Sequence, residues 1–291
     1  MSAKQALHGK TVLITGANSG IGKTTAIGLA QLGADLVLVC RNKDRAQKAI
    51  DEIKRTTGND SIDLIVSDLL LQKEVRRVVN HFLGTHSRLD VLINNAGSNF
   101  HRYKETEDGI EQTMALNYFT PFLLSNLLLD ILKKSAPSRI VNVSSVGHFG
   151  GRLDLDNVAR DRRMGAEGFS AYQRSKLALV MFTYELARRV DPKLVTVNCL
   201  HPGAVRTNIW AHAGLATPLT RIASLFMKSA VNGAKTSIYL ASSSEVKGIS
   251  GKYFDDCKEK RSSRESYDEV LASKLWDQSL MLTELAKATA D

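Results

Sequence analysis

Tyr172 and Lys176 lie four residues apart in the segment YQRSK. On a helix, residues i and i+4 share a face, so this spacing places an ammonium group beside a phenol. A free tyrosine has a pKa of about 10, and a nearby positive charge favours its ionised form. The phenol then becomes a general acid or base near neutral pH. The pair therefore predicts proton transfer, and the alternative is an ordinary pair of side chains on a helix surface.

Two serines and an asparagine are candidates for further catalytic groups. Ser144 and Ser145 end the apolar run 141–143, and a hydroxyl at that place could polarise a carbonyl oxygen. One of the two serines is then expected to be a structural turn residue. Asn117 falls within a long helical pattern, where asparagine has a poor intrinsic propensity. It is either a plain exposed asparagine or a catalytic residue that anchors water between Lys176 and solvent.

A glycine-rich segment, TGANSGIG, follows the first β-branched run at residues 15–22. Its spacing is Gly-x-x-x-Gly-x-Gly, and glycines let backbone N–H groups approach a phosphate at a helix N-terminus. Such a turn alone also fits a plain tight strand–helix connection. The preceding strand and following helix favour a dinucleotide site. The residues expected to line it are Gly16, Asn18, Ser19, Gly20, Ile21 and Gly22.

The end of the second apolar run indicates which dinucleotide is bound. A carboxylate there would bind a ribose 2′-hydroxyl, whereas a cation accommodates a 2′-phosphate. The sequence has Arg41 and Asn42 at this place and no carboxylate. The planar guanidinium of Arg41 suits a phosphate, with Asn18 and Lys43 assisting. NADP is therefore the predicted cofactor, and the alternative for Arg41 is a surface arginine.

Two more strand ends carry candidate cofactor contacts. Asp68, followed by Leu69, comes after the third apolar run and is expected to bind the adenine edge, to cap a helix, or both. Asn95, Ala96 and Gly97 follow the fourth run, where small and amide residues allow the backbone to approach the cofactor closely.

Short apolar runs alternate with longer helical patterns along the chain. This order predicts right-handed βαβ units in a doubly wound parallel sheet of Rossmann type, an α/β single domain with helices on both faces. Ligands are then expected at the carboxyl ends of the strands. Segments 146–170 and 204–229 are predicted insertions. The predicted strands are 11–15, 35–40, 62–66, 91–93, 139–143, 194–200 and a short 252–254, and the predicted helices are 20–32, 43–55, 73–85, 110–134 and 171–190.

Composition narrows the class of protein. A chain of 291 residues with 43% hydrophobic residues is long enough for one large core. The net charge of +9 fits a phosphate-rich ligand, an anionic membrane surface or a solvated basic surface. Scattered basic residues without a binding module argue against nucleic acid. The spacing of the cysteines and histidines predicts no metal site. The polar N-terminus indicates a cytoplasmic protein, peripheral on a membrane at most.

Taken in order, these motifs resemble the short-chain dehydrogenase/reductase superfamily. The ordered set comprises TGANSGIG at 15–22, Asp68, NNAG at 94–97, Asn117, a serine after the fifth strand, YQRSK at 172–176 and HPGAVRT at 201–207. The resemblance implies that the catalytic residues are Asn117, Ser145, Tyr172 and Lys176, with Ser145 preferred over Ser144. It also implies that the nicotinamide is lined by Pro202, Gly203, Val205 and Thr207.

Finer features are similar to retinol dehydrogenase-like members. These are the LHPG segment at 200–203, the long gap between Ser145 and Tyr172, and the tail 251–261. The resemblance implies hydride transfer between NADP(H) and an apolar aldehyde, ketone, alcohol or retinoid-like substrate. Members of that group often carry an N-terminal membrane anchor, and its lack here is compatible with a soluble reductase. The predicted substrate walls are 98–103, 146–149 and the apolar residues after Gly203.

Two other functions stay open. The chain could be an NADP(H)-binding sensor or a peripheral subunit of a membrane assembly, although the presence of both Tyr172 and Lys176 favours an enzyme. The family often forms a homodimer or homotetramer through the helices at 110–134 and 171–190.

Overall fold

Eight strands form one sheet in the order β3-β2-β1-β4-β5-β6-β7-β8 in the described part of a computed structural model, residues 6–203 and 230–286. All neighbouring strands pair in parallel except β7 and β8, which are antiparallel. The predicted doubly wound α/β fold is confirmed. The strands are β1 Thr11–Thr15, β2 Asp35–Cys40, β3 Ile62–Val66, β4 Val91–Asn94, β5 Ser138–Val143, β6 Val195–His201, β7 Tyr253–Asp255 and β8 Lys258–Lys260.

Helices cover both faces of the sheet. Apolar side chains of alternate strand residues point to opposite faces, as Leu13 and Ile14 do on β1, and each face has its own core cluster. The helices α1, α2 and α8 pack on one face, and α3, α5, α7 and α9 pack on the other. The described helices are α1 Gly20–Gln31, α2 Lys43–Thr57, α3 Gln72–Thr85, α4 Gln112–Met114, α5 Thr120–Leu127, α6 Leu129–Lys134, α7 Phe169–Arg189, α8 Ala230–Ser242 and α9 Glu269–Leu282.

The prediction of one continuous helix over residues 110–134 is wrong. A π-helical turn, Ala115–Phe119, separates α4 from α5, and the chain leaves helical geometry again at Leu128. Pro121 follows closely, and a proline cannot donate the usual helical hydrogen bond and crowds the carbonyl four residues before it. The wider turn relieves that crowding, because Thr120 N donates to the carbonyl of Ala115, five residues back. Asn117 lies within this turn.

The helix α9 covers α5 and α7. The Trp276 ring packs 5.1 Å from that of Phe122 and 5.9 Å from that of Phe182. The Arg189 guanidinium lies 4.5 Å from the centre of the Trp276 ring. This is part of the surface through which the family resemblance implies subunit contact. In this chain the covered part is packed against the chain's own α9, and the oligomeric state itself stays a prediction.

The two predicted insertions differ in what the structure describes. The predicted insertion at 146–170 contains short 3₁₀ turns at Val146–Gly150, Leu155–Asn157 and Ala166–Gly168, and α7 already begins at Phe169. Residues 204–229, with Val205 and Thr207, lie outside the described residues. In the described part of the chain, no helix has the length and apolar character that crossing a bilayer requires.

Candidate active site

The glycine turn, residues 15–22, packs directly on the segment that follows β4. Gly16 has a φ of +69°, and a Cβ there would come within 2.9 Å of the Ala96 Cα. A Cβ on Gly22 would come within 2.4 Å of the Gly16 carbonyl oxygen and of the Asn95 Nδ2. Asn95 Nδ2 in turn donates to the carbonyl of Thr15 at 2.8 Å. Glycine is therefore required at 16 and 22 because backbone and side chains meet there.

The glycine turn leaves the start of α1 open to an anion. Ser19 caps the helix with extended backbone, but its side chain makes no capping hydrogen bond, and the first turn holds no acidic residue. The first N–H groups of a helix lack helical acceptors and carry partial positive charge. Asn18, Gly20 and Ile21 surround this end. These residues suit the pyrophosphate of a dinucleotide.

At the end of β2, two neighbouring residues have different roles. Asn42 caps α2, because its side chain accepts a hydrogen bond from Arg45 N at 2.9 Å. Arg41 is exposed, and its side chain makes no hydrogen bond or ion pair with another residue that the structure describes. Its guanidinium therefore remains available to a ligand beside the glycine turn.

Asp68 and Leu69 follow β3. Asp68 Oδ1 accepts a hydrogen bond from Leu70 N at 3.3 Å, which closes a local turn. The cap of α3 is Leu71, so the alternative of Asp68 as a helix cap is wrong. Leu69 is buried, and its carbonyl accepts a hydrogen bond from the Thr120 hydroxyl at 2.5 Å. Leu69 thus anchors this strand end to α5.

Asn117 is fully buried, which excludes the plain exposed asparagine. Its Oδ1 accepts from Ser98 N and its Nδ2 donates to the Ser98 carbonyl, both at 2.9 Å. Nδ2 also donates to the Ser175 hydroxyl on α7 at 2.9 Å. A Cβ on the neighbouring Gly97 would lie 3.1 Å from Asn117 Oδ1 and 3.4 Å from Lys176 Nζ. Gly97, Asn117 and Lys176 are therefore brought together.

The serine turn, residues 144–150, separates the two candidate serines. The Ser144 hydroxyl is buried and donates to the Lys176 carbonyl at 3.1 Å. The Ser145 hydroxyl accepts from Gly147 N at 3.1 Å and forms a hydrogen bond with the phenol of Tyr172. Ser144 thus ties the turn to α7, whereas Ser145 faces the phenol.

Tyr172 and Lys176 lie on the same side of α7 and are both buried. Lys176 Nζ lies 5.7 Å from the centre of the Tyr172 ring and donates to the Val143 carbonyl at 2.9 Å. Burial lowers the pKa of Lys176 to about 8. Burial also raises the pKa of Tyr172, and the hydrogen bond from Ser145 only partly opposes this. Burial therefore opposes ionisation of the phenol, and it stays a prediction that Lys176 and an oxidised nicotinamide together favour the ionised form.

Residues after β6 complete this edge of the sheet. Pro202 and Gly203 are half-buried, and Gly203 has a φ of +86°. His201 Nδ1 accepts a hydrogen bond from Val146 N at 3.1 Å, and His148 is buried within the serine turn. Neither of these histidine contacts was predicted, because both join residues that are distant in the sequence or within an irregular turn. Their position within a predicted substrate wall and beside Pro202 was the only available signal.

Comparison with known proteins agrees with this geometry. The sequence profile of the short chain dehydrogenase family matches residues 10–156 and 157–216. The chain is 45% identical to human retinol dehydrogenase 14 over 97% of this chain and 88% of that protein.

Many solved structures are similar to this chain, among them the following two. A protein from Mycobacterium paratuberculosis superposes with a TM-score of 0.76 at 31% identity, covering 95% of this chain and 94% of that one. A short chain dehydrogenase from Shigella flexneri 2a strain 301, complexed with NADP, has a TM-score of 0.69 at 25% identity, covering 88% of this chain and 100% of that one. With its ordered motifs and its parallel sheet, this chain belongs to the short chain dehydrogenase family.

Proposed function

We propose that the protein is an NADP(H)-dependent oxidoreductase that interconverts an apolar carbonyl compound, retinoid-like in character, and its alcohol. The observation that carries this proposal is the convergence of Ser145, Tyr172 and Lys176 beside Gly97 at the carboxyl edge of the sheet. In open parallel sheets this edge is where ligands bind.

The residues present fit a dinucleotide. The uncapped start of α1 would hold the pyrophosphate, and the close packing of Gly16 and Gly22 on Asn95 and Ala96 fixes the shape of the turn. Asp68 and Leu69 would border the adenine end, and Gly97, Lys176, Pro202 and Gly203 the nicotinamide end. Val205 and Thr207 lie outside the described residues and stay predicted contacts of the nicotinamide.

The chemistry divides between cofactor and protein. When bound, the nicotinamide supplies or takes up the hydride. In carbonyl reduction, the Ser145 hydroxyl donates a hydrogen bond to the carbonyl oxygen and the Tyr172 phenol gives that oxygen its proton. Lys176, whose pKa is held near 8 by burial, exchanges protons close to neutral pH. Asn117 fixes the neighbouring backbone and would anchor the water that replaces the proton.

The preference for NADP rests on Arg41. It stands exposed at the end of β2, without a protein partner in the described residues and with no carboxylate at the strand tip. A guanidinium at this place accommodates a 2′-phosphate, and Lys43 adds a second cation. The similar Shigella structure was solved with NADP, which supports the same choice.

An apolar substrate is supported by the side chains around the serine turn. Val146, Phe149 and Phe169 are 54%, 47% and 37% exposed, respectively, so each offers apolar surface to a ligand. The Phe169 ring lies 6.4 Å from that of Tyr172. The relative named retinol dehydrogenase 14 supports a retinoid-like molecule.

The test compares Tyr172→Phe with Tyr239→Phe, a matched change on α8 whose hydroxyl donates to Glu245 at 3.0 Å. We expect Tyr172→Phe to slow NADPH oxidation by retinal or alkyl aldehydes about 10²- to 10⁴-fold, with NADPH affinity unchanged. Tyr239→Phe should match the wild type. Full activity in Tyr172→Phe would refute the mechanism. NADPH binding without turnover of any aldehyde, ketone or alcohol in the panel would favour the sensor or the membrane-assembly subunit.

A second pair of variants tests the cofactor. Arg41→Asp should shift the preference from NADP towards NAD, because a carboxylate repels the 2′-phosphate and accepts from the 2′-hydroxyl. Arg45→Asp, one turn into α2, is the control and should leave the preference unchanged. If Arg41→Asp kept the wild-type preference for NADP over NAD, Arg41 would not contact the 2′-phosphate.

A further inference from the structure

A histidine that takes no part in the proposed chemistry holds the serine turn. His148 is fully buried, with its ring 4.2 Å from that of Phe149 and 4.8 Å from that of Tyr253. Both ring nitrogens bind main-chain atoms. Nδ1 lies 2.6 Å from the Ser145 carbonyl oxygen, and Nε2 lies 3.0 Å from Ser263 N.

These contacts fix the protonation of the His148 ring. The N–H of Ser263 can only donate, so Nε2 is the unprotonated acceptor. Nδ1 then carries the proton and donates it to the Ser145 carbonyl. The same carbonyl also accepts from His148 N at 3.2 Å. A neutral ring is consistent with burial, which lowers the pKa of His148.

Ser263, the residue that His148 Nε2 contacts, is also held in place. Ser263 belongs to a segment tied to α7, because the Ser262 hydroxyl lies 2.7 Å from the Tyr184 hydroxyl. The Ser266 hydroxyl donates to the Ser263 carbonyl at 2.6 Å. Tyr184 lies on the same helix as Tyr172. His148 therefore connects the serine turn to a second point fixed on the helix that carries the phenol.

We infer that His148 is a positioning residue that fixes the Ser145 backbone, so that the Ser145 hydroxyl stays directed at the Tyr172 phenol. The inference rests on the proposed function, because His148 acts through Ser145. The ring Nδ1–H and the backbone N–H of His148 both donate to the Ser145 carbonyl, which fixes the plane of that peptide group. The Ser145 hydroxyl, which accepts from Gly147 N, is then left with little freedom to turn away.

Three substitutions separate the two ring contacts. Asparagine places an amide nitrogen where Nδ1 stands and keeps the bond to Ser145, whereas glutamine places an amide oxygen where Nε2 stands and keeps the bond to Ser263. Phenylalanine loses both contacts but retains an aromatic ring. His86→Phe is the control, because His86 precedes β4 at the opposite edge of the sheet and stacks on Phe82.

The measurements are kcat and KM with NADPH and all-trans-retinal, corrected for the folded fraction, together with NADPH affinity. We expect His148→Phe to lower kcat about 10- to 100-fold, as for a lost buried hydrogen bond, with NADPH affinity unchanged. His148→Gln should behave likewise, and His148→Asn should recover most of kcat. Equal losses in the Asn and Gln variants, or a wild-type kcat in His148→Phe, would overturn the inference.

A double-mutant cycle with Ser145→Ala tests the route of action. If His148 acts through Ser145, adding His148→Phe to Ser145→Ala should slow single-turnover hydride transfer no further. Additive losses would overturn the inference. A wild-type rate in Ser145→Ala alone would instead refute the proposed role of Ser145, so the two failures are distinguishable.

A measurement without turnover completes the test. A long-range proton–nitrogen NMR spectrum of the wild-type protein at neutral pH should show His148 protonated at Nδ1 only. Protonation at Nε2 would overturn the inference whether or not retinal is reduced.

Discussion

The chain leaves β1 and β5 at the same edge of the sheet, through the glycine turn and the serine turn. In the glycine turn, the Ser19 side chain makes no capping hydrogen bond at the start of α1. In the serine turn, the corresponding cap is made, because the Ser145 hydroxyl accepts from Gly147 N. His148 and His201 bind further main-chain groups of the same turn.

The difference follows from what each turn must do. A turn that binds a ligand with its own N–H groups has to leave them unpaired within the protein. A turn that directs a side chain has to fix its backbone, because small displacements of a catalytic group reduce rates strongly. Changes that close or distort the glycine turn should therefore alter cofactor affinity, and changes in the serine turn that displace the Ser145 hydroxyl should alter turnover.

The largest effect is expected from comparing the two neighbouring serines. Ser145→Ala should lower kcat about 10²- to 10³-fold, as for the loss of one donor to a developing oxyanion, with NADPH affinity unchanged. Ser144→Ala should keep kcat within the same order of magnitude and lower the free energy of unfolding by about 0.5–1.5 kcal/mol, because its hydroxyl bonds the Lys176 carbonyl. Steady-state kinetics measure kcat, and urea unfolding measures stability. A large loss of kcat in Ser144→Ala and not in Ser145→Ala would assign the catalytic role to Ser144.

The buried Lys176 ammonium, which donates to the carbonyl of Val143 at the end of β5, predicts that stability depends on pH. Folded Lys176 loses its proton near pH 8, whereas the unfolded residue keeps it to about 10.5. Between these values the unfolded state binds more protons, so the contribution of Lys176 to the free energy of unfolding rises with pH. That contribution is lost as the pH falls from 10.5 through 8. From pH 7.5 to 10, the wild type should gain about 2–3 kcal/mol of unfolding free energy relative to Lys176→Met. If the free energies of unfolding of the wild type and Lys176→Met changed with pH by the same amount, the lowered pKa of Lys176 would be contradicted.

A change in the glycine turn should act on binding and stability together. Gly22→Ala places a Cβ within 2.4 Å of the Gly16 carbonyl oxygen, so it should lower the free energy of unfolding by about 1–3 kcal/mol and weaken NADPH binding. Gly84→Ala is the matched control, because a Cβ in α3 there meets nothing within 4 Å. It should stabilise the protein by about 0.5–1 kcal/mol. Equal effects of the two changes, measured by denaturation and NADPH titration, would show that the packing at Gly22 is not tight.

The smallest effect concerns helix caps. Ser19→Ala should change the unfolding free energy by less than about 0.5 kcal/mol, because the hydroxyl caps nothing. Asn42→Ala should lower it by about 1 kcal/mol, because its side chain accepts from Arg45 N. A loss at Ser19 as large as that at Asn42 would mean that the start of α1 is capped after all.

Much of the sheet could be predicted because its strands are short apolar runs between polar turns. The runs at β1, β2 and β3 were predicted with their observed bounds. β8 was not predicted, because Lys258–Lys260 is an exposed edge strand of charged residues without apolar alternation. The helix α9 was not predicted either, since its packing depends on Trp276 meeting rings from distant parts of the chain.

The site was predictable where it depended on local spacing. The shared face of Tyr172 and Lys176 follows from helical periodicity, and the glycine turn follows from its motif. The pKa of Tyr172 was not predictable, because it depends on burial, which only the folded chain determines. The link from His148 to Ser263 spans more than a hundred residues, and no local pattern indicates it.

The packing of α9 also bears on how the polypeptide folds as it is made. Phe122 and Phe182 leave the ribosome well before Trp276, and their rings pack against each other and against that indole in the finished protein. Until α9 arrives, the nascent chain presents an aromatic surface of the kind that chaperones bind and that drives aggregation. A premature stop before residue 269 would leave that surface uncovered for good, so such products should be cleared by proteolysis even though the sheet and the glycine turn are already encoded.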